Sequence, residues 1–215
     1  MEVKEAADKI REAIEEERAV DEHFRRRAAV AIGVMAMLLA IASLSGERAS
    51  TEIVNSNIQA SDIWAFYQAK NIRQTANQLA AEELELVQVS QPGLSPAARA
   101  AFQKRIAGYR KEVQRFENEP DPADPGNLLK GVGKKQLTAQ ARALEEKRDH
   151  ARRQLPSFEF AQALFQLGIV LGSVSIVAAS RPLLSLALVL AAVATLLMLN
   201  GLFFGLEVPL ILHSV

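Results

Sequence analysis

Three stretches of the chain contain no charged residue, and the segments between them are rich in charged residues. The uncharged stretches cover residues 28–46, 160–180 and 182–206. Because a helix rises 1.5 Å per residue, each is about long enough to cross the ~30 Å hydrocarbon core of a bilayer. We therefore predict three transmembrane helices, at 28–46, 158–180 and 183–206, followed by a short C-terminal tail, 207–215.

Other interpretations of these stretches are less favourable. Ser43 and Ser45 would suit the cleavage site of a signal peptide, but the segment before the first stretch, residues 1–27, is long and rich in glutamate. Signal peptides begin with a short basic region, so we favour a retained anchor. Only Arg181 and Pro182 separate the other two stretches. This short break predicts a tight transmembrane hairpin, since the rest of the chain is too small to bury both helices.

The region between the first two spans, residues 47–157, predicts a helical stalk. We expect helices at about 47–89, 96–118 and 134–155, because Gln91-Pro92-Gly93 breaks the chain and Ser95-Pro96 is typical of a helix start. Pro156 is expected to end the third helix, with Ser157 capping the second span. The outgoing helix would be roughly 65 Å long, and the two returning helices placed end to end would have about the same length. The predicted fold class is thus an all-α membrane protein with a long antiparallel, coiled-coil-like stalk.

An apolar stripe with seven-residue spacing runs along the outgoing stalk helix. Seven-residue spacing is typical of coiled coils, and Ala69 and Ala76 on the same face would let a partner helix approach closely. One helical hairpin buries little surface, so we expect neighbouring copies of the chain to complete the core. The members of the apolar stripe are Ile58, Ala65, Ile72, Leu79 and Leu86.

Aromatic and amide residues are concentrated in residues 57–74, which include the only tryptophan, Trp64. One interpretation is a contact surface between stalk helices, and the other is a recognition surface for a partner or for the membrane interface. Trp64 lies about 27 Å beyond Gly46 along a straight helix, too far for an interfacial belt. We therefore assign Asp62, Trp64, Tyr67 and Ala69, together with the apolar stripe, to contacts within the stalk or between copies of the chain.

Inside the predicted spans, glycines occur in two pairs spaced four residues apart. Gly168 with Gly172, and Gly201 with Gly205, form grooves in which two helix backbones can meet. Asn200 is a polar amide at membrane depth and is expected to make an interhelical hydrogen bond rather than an ion pathway. We predict that these five residues pack the transmembrane helices.

Composition excludes several other classes of function. The chain carries 25 basic and 25 acidic side chains and no cysteine, so a basic nucleic-acid binder and thiol chemistry are excluded. The three histidines lie in separate segments, and neither a metal-ligand spacing nor a phosphate-binding glycine loop is present. We expect no catalytic activity, no metal and no cofactor.

The membrane orientation follows from the first span. The first span usually sets the orientation, and the loop 47–157 exceeds the length to which the positive-inside rule applies. Both considerations favour a cytoplasmic N-terminus and a periplasmic stalk, although basic residues before the second span argue the other way. The acidic amphipathic helix at 1–27 is unsuited to anionic lipid and would dock on the oligomer or on an unidentified protein partner, or remain solvated.

The string NIQASDIWAFYQAKNIRQ, at residues 57–74, resembles the signature of an uncharacterised bacterial membrane-protein family, a domain of unknown function with the pattern N-x-Q-A-S-D-x-W-x-x-Y-Q-A-K. The order of an acidic N-terminus, one span, a charged helical middle and two closing spans is also similar. The resemblance implies a multi-pass protein of the bacterial inner membrane, and it implies no activity.

Together these features predict a homo-oligomeric integral membrane protein with a structural or scaffolding role. The alternative is an oligomeric channel or transport accessory, in which an amide-rich face would line a hydrated vestibule. That face comprises Asn57, Ser61, Gln68, Asn71, Gln74 and Gln78.

Overall fold

The computed structural model describes the backbone of residues 2–205 and the side chains of residues 22–205, and this part of the chain is helical with no strand. The all-helical prediction is confirmed. The predicted apolar face of residues 1–21 and the tail 207–215 lie outside the described residues. The helices are α1 (Glu2–Ser90), α2 (Pro96–Glu117), α3 (Lys134–Val177) and α4 (Arg181–Leu199), followed by a π-helical turn, Asn200–Phe204.

The start of α2 shows how local sequence sets a helix boundary. The Ser95 hydroxyl accepts a hydrogen bond from the backbone N–H of Ala98 at 3.2 Å, and Pro96 occupies the first turn. The missing N–H of proline has no cost there, because the first N–H groups of a helix have no partner within the helix. The break before α2 contains a turn in which the N–H of Leu94 donates to the carbonyl of Gln91.

The prediction that Pro156 ends a helix is wrong, because α3 continues through it to Val177. Proline removes one backbone hydrogen bond and strains the preceding turn, which usually kinks or stops a helix. Here Ala151, Ser157 and Phe158 on the neighbouring turns are almost completely buried. Packing on both sides of Pro156 therefore maintains the helix where the local preference would end it.

The chain divides into two compact units, residues 1–51 with 150–215 and residues 52–149. Unit 1 contains the three apolar helical segments, and its core is thin. Small residues dominate the buried positions, so the helix backbones lie close together, and most of the large apolar side chains point outwards. The core residues are Met35 and Ala42 of α1, Ala161 and Phe165 of α3, and Ala187, Ala194 and Met198 of α4.

Unit 2 contains the remainder of α1, α2 and the first part of α3, with buried apolar residues that include Ala60, Ile106, Phe116 and Leu137. The loop between α2 and α3 folds back on itself, as the N–H groups of Val132 and Gly133 both donate to the carbonyl of Glu119, at 2.9 and 3.2 Å. Gly131 has φ +94°, and a Cβ there would lie 2.5 Å from that carbonyl oxygen. Only glycine fits this position without a rearrangement.

Candidate interaction surfaces

Trp64 and Tyr67 hold α1 against α3 within unit 2. The indole N–H of Trp64 donates to the Glu145 carboxylate at 2.9 Å. The rings of Trp64 and Tyr67 meet edge to face with centroids 5.5 Å apart, and the Lys134 ammonium lies 5.2 Å from the centre of the Tyr67 ring. These aromatic residues of the 57–74 segment thus make contacts inside one chain.

The amide side chains of the same segment also bind within unit 2. Lys134 Nζ donates to Asn71 Oδ1 and Gln74 Oε1, both at 2.8 Å. Gln74 Nε2 donates in turn to the carbonyl of Val113 at 3.0 Å, and Asn57 Oδ1 accepts from Arg148 at 3.4 Å. Gln78 donates to Glu82 on the same helix, so four of the six residues proposed for a vestibule have polar partners in their own chain. The other two, Ser61 and Gln68, are exposed.

Lys70 and Glu119 form a polar contact that the sequence pattern does not predict. Lys70 Nζ lies 2.6 Å from Glu119 Oε2, and only 7% of the Lys70 side chain is exposed. The ammonium also lies 5.5 Å from the centre of the Phe66 ring and 5.8 Å from that of Phe116. This contact links α1 to the residues after α2. Lys70 belongs to the conspicuous 57–74 segment, but its partner Glu119 lies 49 residues away, where a periodic pattern does not reveal a pairing.

The carboxylate of Glu119, which forms this contact, and that of nearby Glu117 both have a lowered pKa. The hydrogen bond from Lys70 is the largest cause of the lowered pKa of Glu119, and Arg115 adds to it. The hydrogen bond from Gln74 is the largest cause of the lowered pKa of Glu117, to which the charge of Lys134 contributes. Hydrogen bonds and nearby cationic side chains therefore favour the charged form of both carboxylates.

The apolar stripe lies on a different face of α1 from the one that packs within unit 2. Ile58 is 54% exposed, Ile72 69%, Leu79 59% and Leu86 71%. Ala65, Ala69 and Asp62 are exposed as well. The buried or half-buried residues follow the same seven-residue spacing two positions later, at Ala60, Tyr67, Gln74 and Ala81. Two residues correspond to a rotation of about 200° around a helix, so the exposed stripe lies nearly opposite the face of α1 that packs within unit 2.

Three of the four predicted packing glycines lie against another helix of unit 1. A Cβ on Gly172 would be 2.9 Å from Ile32 Cγ1, and a Cβ on Gly168 would be 3.2 Å from the sulfur of Met35. A Cβ on Gly201 would be 2.8 Å from the ring of Phe158. Gly205 differs, since it has φ +54° and no neighbour closer than 3.7 Å to its added Cβ. It closes the π-helical turn in the left-handed conformation that glycine tolerates.

Asn200 is the first residue of this π-helical turn, and its side chain forms a hydrogen bond with α3. Its Nδ2 donates to the hydroxyl of Ser157 at 3.0 Å, and the Ser157 side chain is fully buried. An amide and a hydroxyl in an apolar core each need a partner, because an unpaired polar group there is costly. Asn200 therefore takes part in a hydrogen bond between helices of unit 1.

Within residues 22–205, no group of three or more histidine, aspartate and glutamate side chains is placed to hold a metal ion. The described histidines, His23 and His150, lie in separate parts of the sequence, and His213 lies outside the described residues.

The chain matches a protein-family model over most of its length. Residues 24–204 match the family described as Domain of unknown function (DUF4337), and the chain belongs to this family. No curated protein and no solved structure gives a significant match. The matched segment extends from just before the first apolar stretch to the end of the π-helical turn, Asn200–Phe204.

Proposed function

We propose that this protein is an integral membrane protein that assembles with copies of itself and serves as a structural or scaffolding element. Unit 1 spans the bacterial inner membrane with three helices, the N-terminus is cytoplasmic, and residues 52–149 are periplasmic. The exposed apolar stripe on α1 is the observation that carries the proposed assembly.

The outer surface of unit 1 supports membrane insertion. Three helical segments are long and apolar enough to cross a bilayer. Large apolar side chains on each are exposed, for example Met37 at 69%, Val170 at 59% and Leu196 at 68%. In water this continuous apolar surface would drive association, whereas in lipid it is the expected exterior.

The apolar stripe supports self-association. It has five members at seven-residue intervals, from Ile58 to Leu86, and its leucine and isoleucine side chains are more than half exposed. A second copy anchored in the same membrane would present the same stripe in the same direction. Parallel, in-register packing of the two stripes would bury these side chains against each other.

The channel alternative has less support. A hydrated vestibule needs amide groups that are free to bind water or solute, and Asn57, Asn71 and Gln74 are already hydrogen-bonded within their own chain. We therefore propose the structural role and treat solute flux through reconstituted vesicles as a separate test, in which flux would favour the channel.

The membrane part of the proposal is tested by alkaline carbonate extraction of membranes that contain the protein. A protein held by three spans stays in the pellet, and its release into the supernatant would contradict insertion. The orientation is tested with single cysteines, since the chain has none of its own. Lys104→Cys should react with an impermeant maleimide added to spheroplasts and Glu22→Cys should not; the reverse pattern would invert the topology.

The assembly is tested by native mass spectrometry of the detergent-purified protein and two variants. Ile72→Asp introduces a charge at the centre of the stripe and should dissociate the oligomer. Leu128→Asp is the matched control, because Leu128 is a 54% exposed apolar residue in the loop between α2 and α3. We expect oligomers for the wild type and Leu128→Asp and monomers for Ile72→Asp. A monomeric wild type, or an unchanged mass for Ile72→Asp, would refute the assembly.

A further inference from the structure

We propose that His23, Arg26 and Arg27, at one end of unit 1, bind the headgroup phosphate of an anionic phospholipid, with Arg181 adding positive charge at a similar depth. The inference rests on the proposed insertion of unit 1 in a membrane. It adds a ligand site that is independent of self-association.

The α1 residues of this site include cationic side chains that suit a phospholipid headgroup and apolar side chains that suit its acyl chains. An open cavity of about 440 Å³ is lined by His23, Arg26 and Arg27 and, further along the helix, by Val30 and Ala31. Val30 is 63% exposed and is the first large side chain of the uncharged stretch. Cationic groups thus lie next to apolar surface, as a phosphate lies next to the acyl chains of a lipid.

The packing of unit 1 brings Arg181 to the same end. Gly172 of α3 lies against Ile32 and Gly168 against Met35, so α3 runs antiparallel to α1. The carbonyl of Ala187 lies 3.3 Å from the position of a Cβ on Gly168, which places Ala187 at the level of Met35. Arg181 precedes Ala187 by about 9 Å of helix, and Arg27 precedes Met35 by about 12 Å in the same direction. The two arginines therefore lie at similar depth.

The charge at this end favours an anionic ligand. Among the described side chains, Arg25, Arg26, Arg27 and Arg181 make no ion pair with a carboxylate. The acidic residues of the N-terminal segment precede His23, so the sequence His23-Phe24-Arg25-Arg26-Arg27 contains none. A zwitterionic lipid would bring its own ammonium group into this cluster, whereas an anionic lipid adds only negative charge. The proposal departs from the expectation that the segment 1–27 is unsuited to anionic lipid, because its last five residues, 23–27, carry no acidic side chain.

The test uses the full-length protein in detergent, with phosphatidylglycerol or phosphatidylcholine added and bound lipid counted by native mass spectrometry. We expect selective retention of phosphatidylglycerol. The double variant Arg26→Gln/Arg27→Gln should bind it roughly thirtyfold more weakly, from the attraction of two surface arginines to an anionic headgroup. The control Arg99→Gln/Lys104→Gln removes two exposed charges from α2 and should bind it like the wild type.

Competition with inorganic phosphate distinguishes the source of the phosphate. Retention of phosphatidylglycerol in excess phosphate supports a lipid site, and its displacement would indicate a site for free phosphate. Equal binding of both lipids, or equal losses in the two double variants, would overturn the proposal. Carbonate extraction separates this result from failure of the proposed function, because a protein that remains in the membrane but lacks lipid selectivity refutes the site alone.

Discussion

The contact between Gly201 and Phe158 gives a sharp prediction about packing in unit 1. A Cβ at position 201 would lie 2.8, 2.9 and 3.2 Å from three atoms of the Phe158 ring. Carbon atoms pack favourably at about 3.5–4.0 Å, so the ring must move by about 0.5–1 Å in Gly201→Ala. The ring has little freedom to move, because Phe158 is only 3% exposed.

Overpacking of a core typically costs about 1–3 kcal/mol, and alanine returns at most about 1 kcal/mol through its helix preference. We therefore expect Gly201→Ala to lower the free energy of unfolding by about 1–2 kcal/mol. For a chain of this size, that loss corresponds to a decrease of roughly 2–8 °C in Tm. Thermal unfolding of the detergent-purified protein, followed by circular dichroism, measures the change.

Gly33→Ala is the matched control, since no atom lies within 4 Å of a Cβ at Gly33. Both variants add one methyl group to a glycine of the apolar helices, and only one of them meets a neighbour. We expect the Tm of Gly33→Ala to equal or exceed that of the wild type. If Gly201→Ala is as stable as Gly33→Ala, the close packing of α3 against the π-helical turn is refuted.

Three further perturbations test other contacts. Gly172→Leu should weaken the packing of α3 on Ile32 and lower the Tm more than Gly201→Ala, because it adds a larger side chain at a 2.9 Å contact; an unaltered Tm would count against that packing. Lys70→Met should cost about 1–2 kcal/mol in chemical denaturation by removing a charged donor from Glu119, and in a double-mutant cycle with Glu119→Gln the losses should be less than additive. Full additivity would show that the two side chains do not interact. The lowered pKa values of Glu117 and Glu119 predict that stability is fully present above the usual carboxyl pKa of 4.5 and is lost as the pH falls through the lower folded-state values. Glu119→Gln should therefore show a shallower loss of Tm between about pH 5 and about pH 2 than the wild type, and equal slopes would contradict the assignment.

The helical class and the apolar segments are accessible from the sequence because they depend on local features. Uncharged stretches such as 28–46 and the Ser95-Pro96 helix start involve neighbours in the chain. The continuation of α3 through Pro156 is not determined by neighbouring residues in the sequence. It depends on the burial of Ser157 and Phe158 by other helices, and Ser157 receives the hydrogen bond from Asn200 of a distant segment.

The contacts of α1 within unit 2 were only partly predictable, because they lie on a different face from the apolar stripe. Apolar periodicity identifies the stripe that includes Ile72, but the face that packs within unit 2 is largely polar and aromatic. Trp64 and Gln74 have partners in Glu145 and Lys134, which lie far away in the sequence. A hydrophobic pattern cannot reveal contacts made by hydrogen bonds and aromatic rings. It can identify the apolar face that remains exposed in one chain.

Disulfide cross-linking in native membranes tests the central claim, the self-association through the apolar stripe, most directly. The chain lacks cysteine, so each introduced cysteine reports on one position. Ala65→Cys lies on the exposed stripe, whereas Ala60→Cys replaces a 3% exposed alanine on the face that packs within unit 2. Ala101→Cys, exposed on α2, controls for random collisions. On mild oxidation we predict a disulfide-linked dimer for Ala65→Cys and only background for the other two variants; equal yields at all three positions would contradict the account.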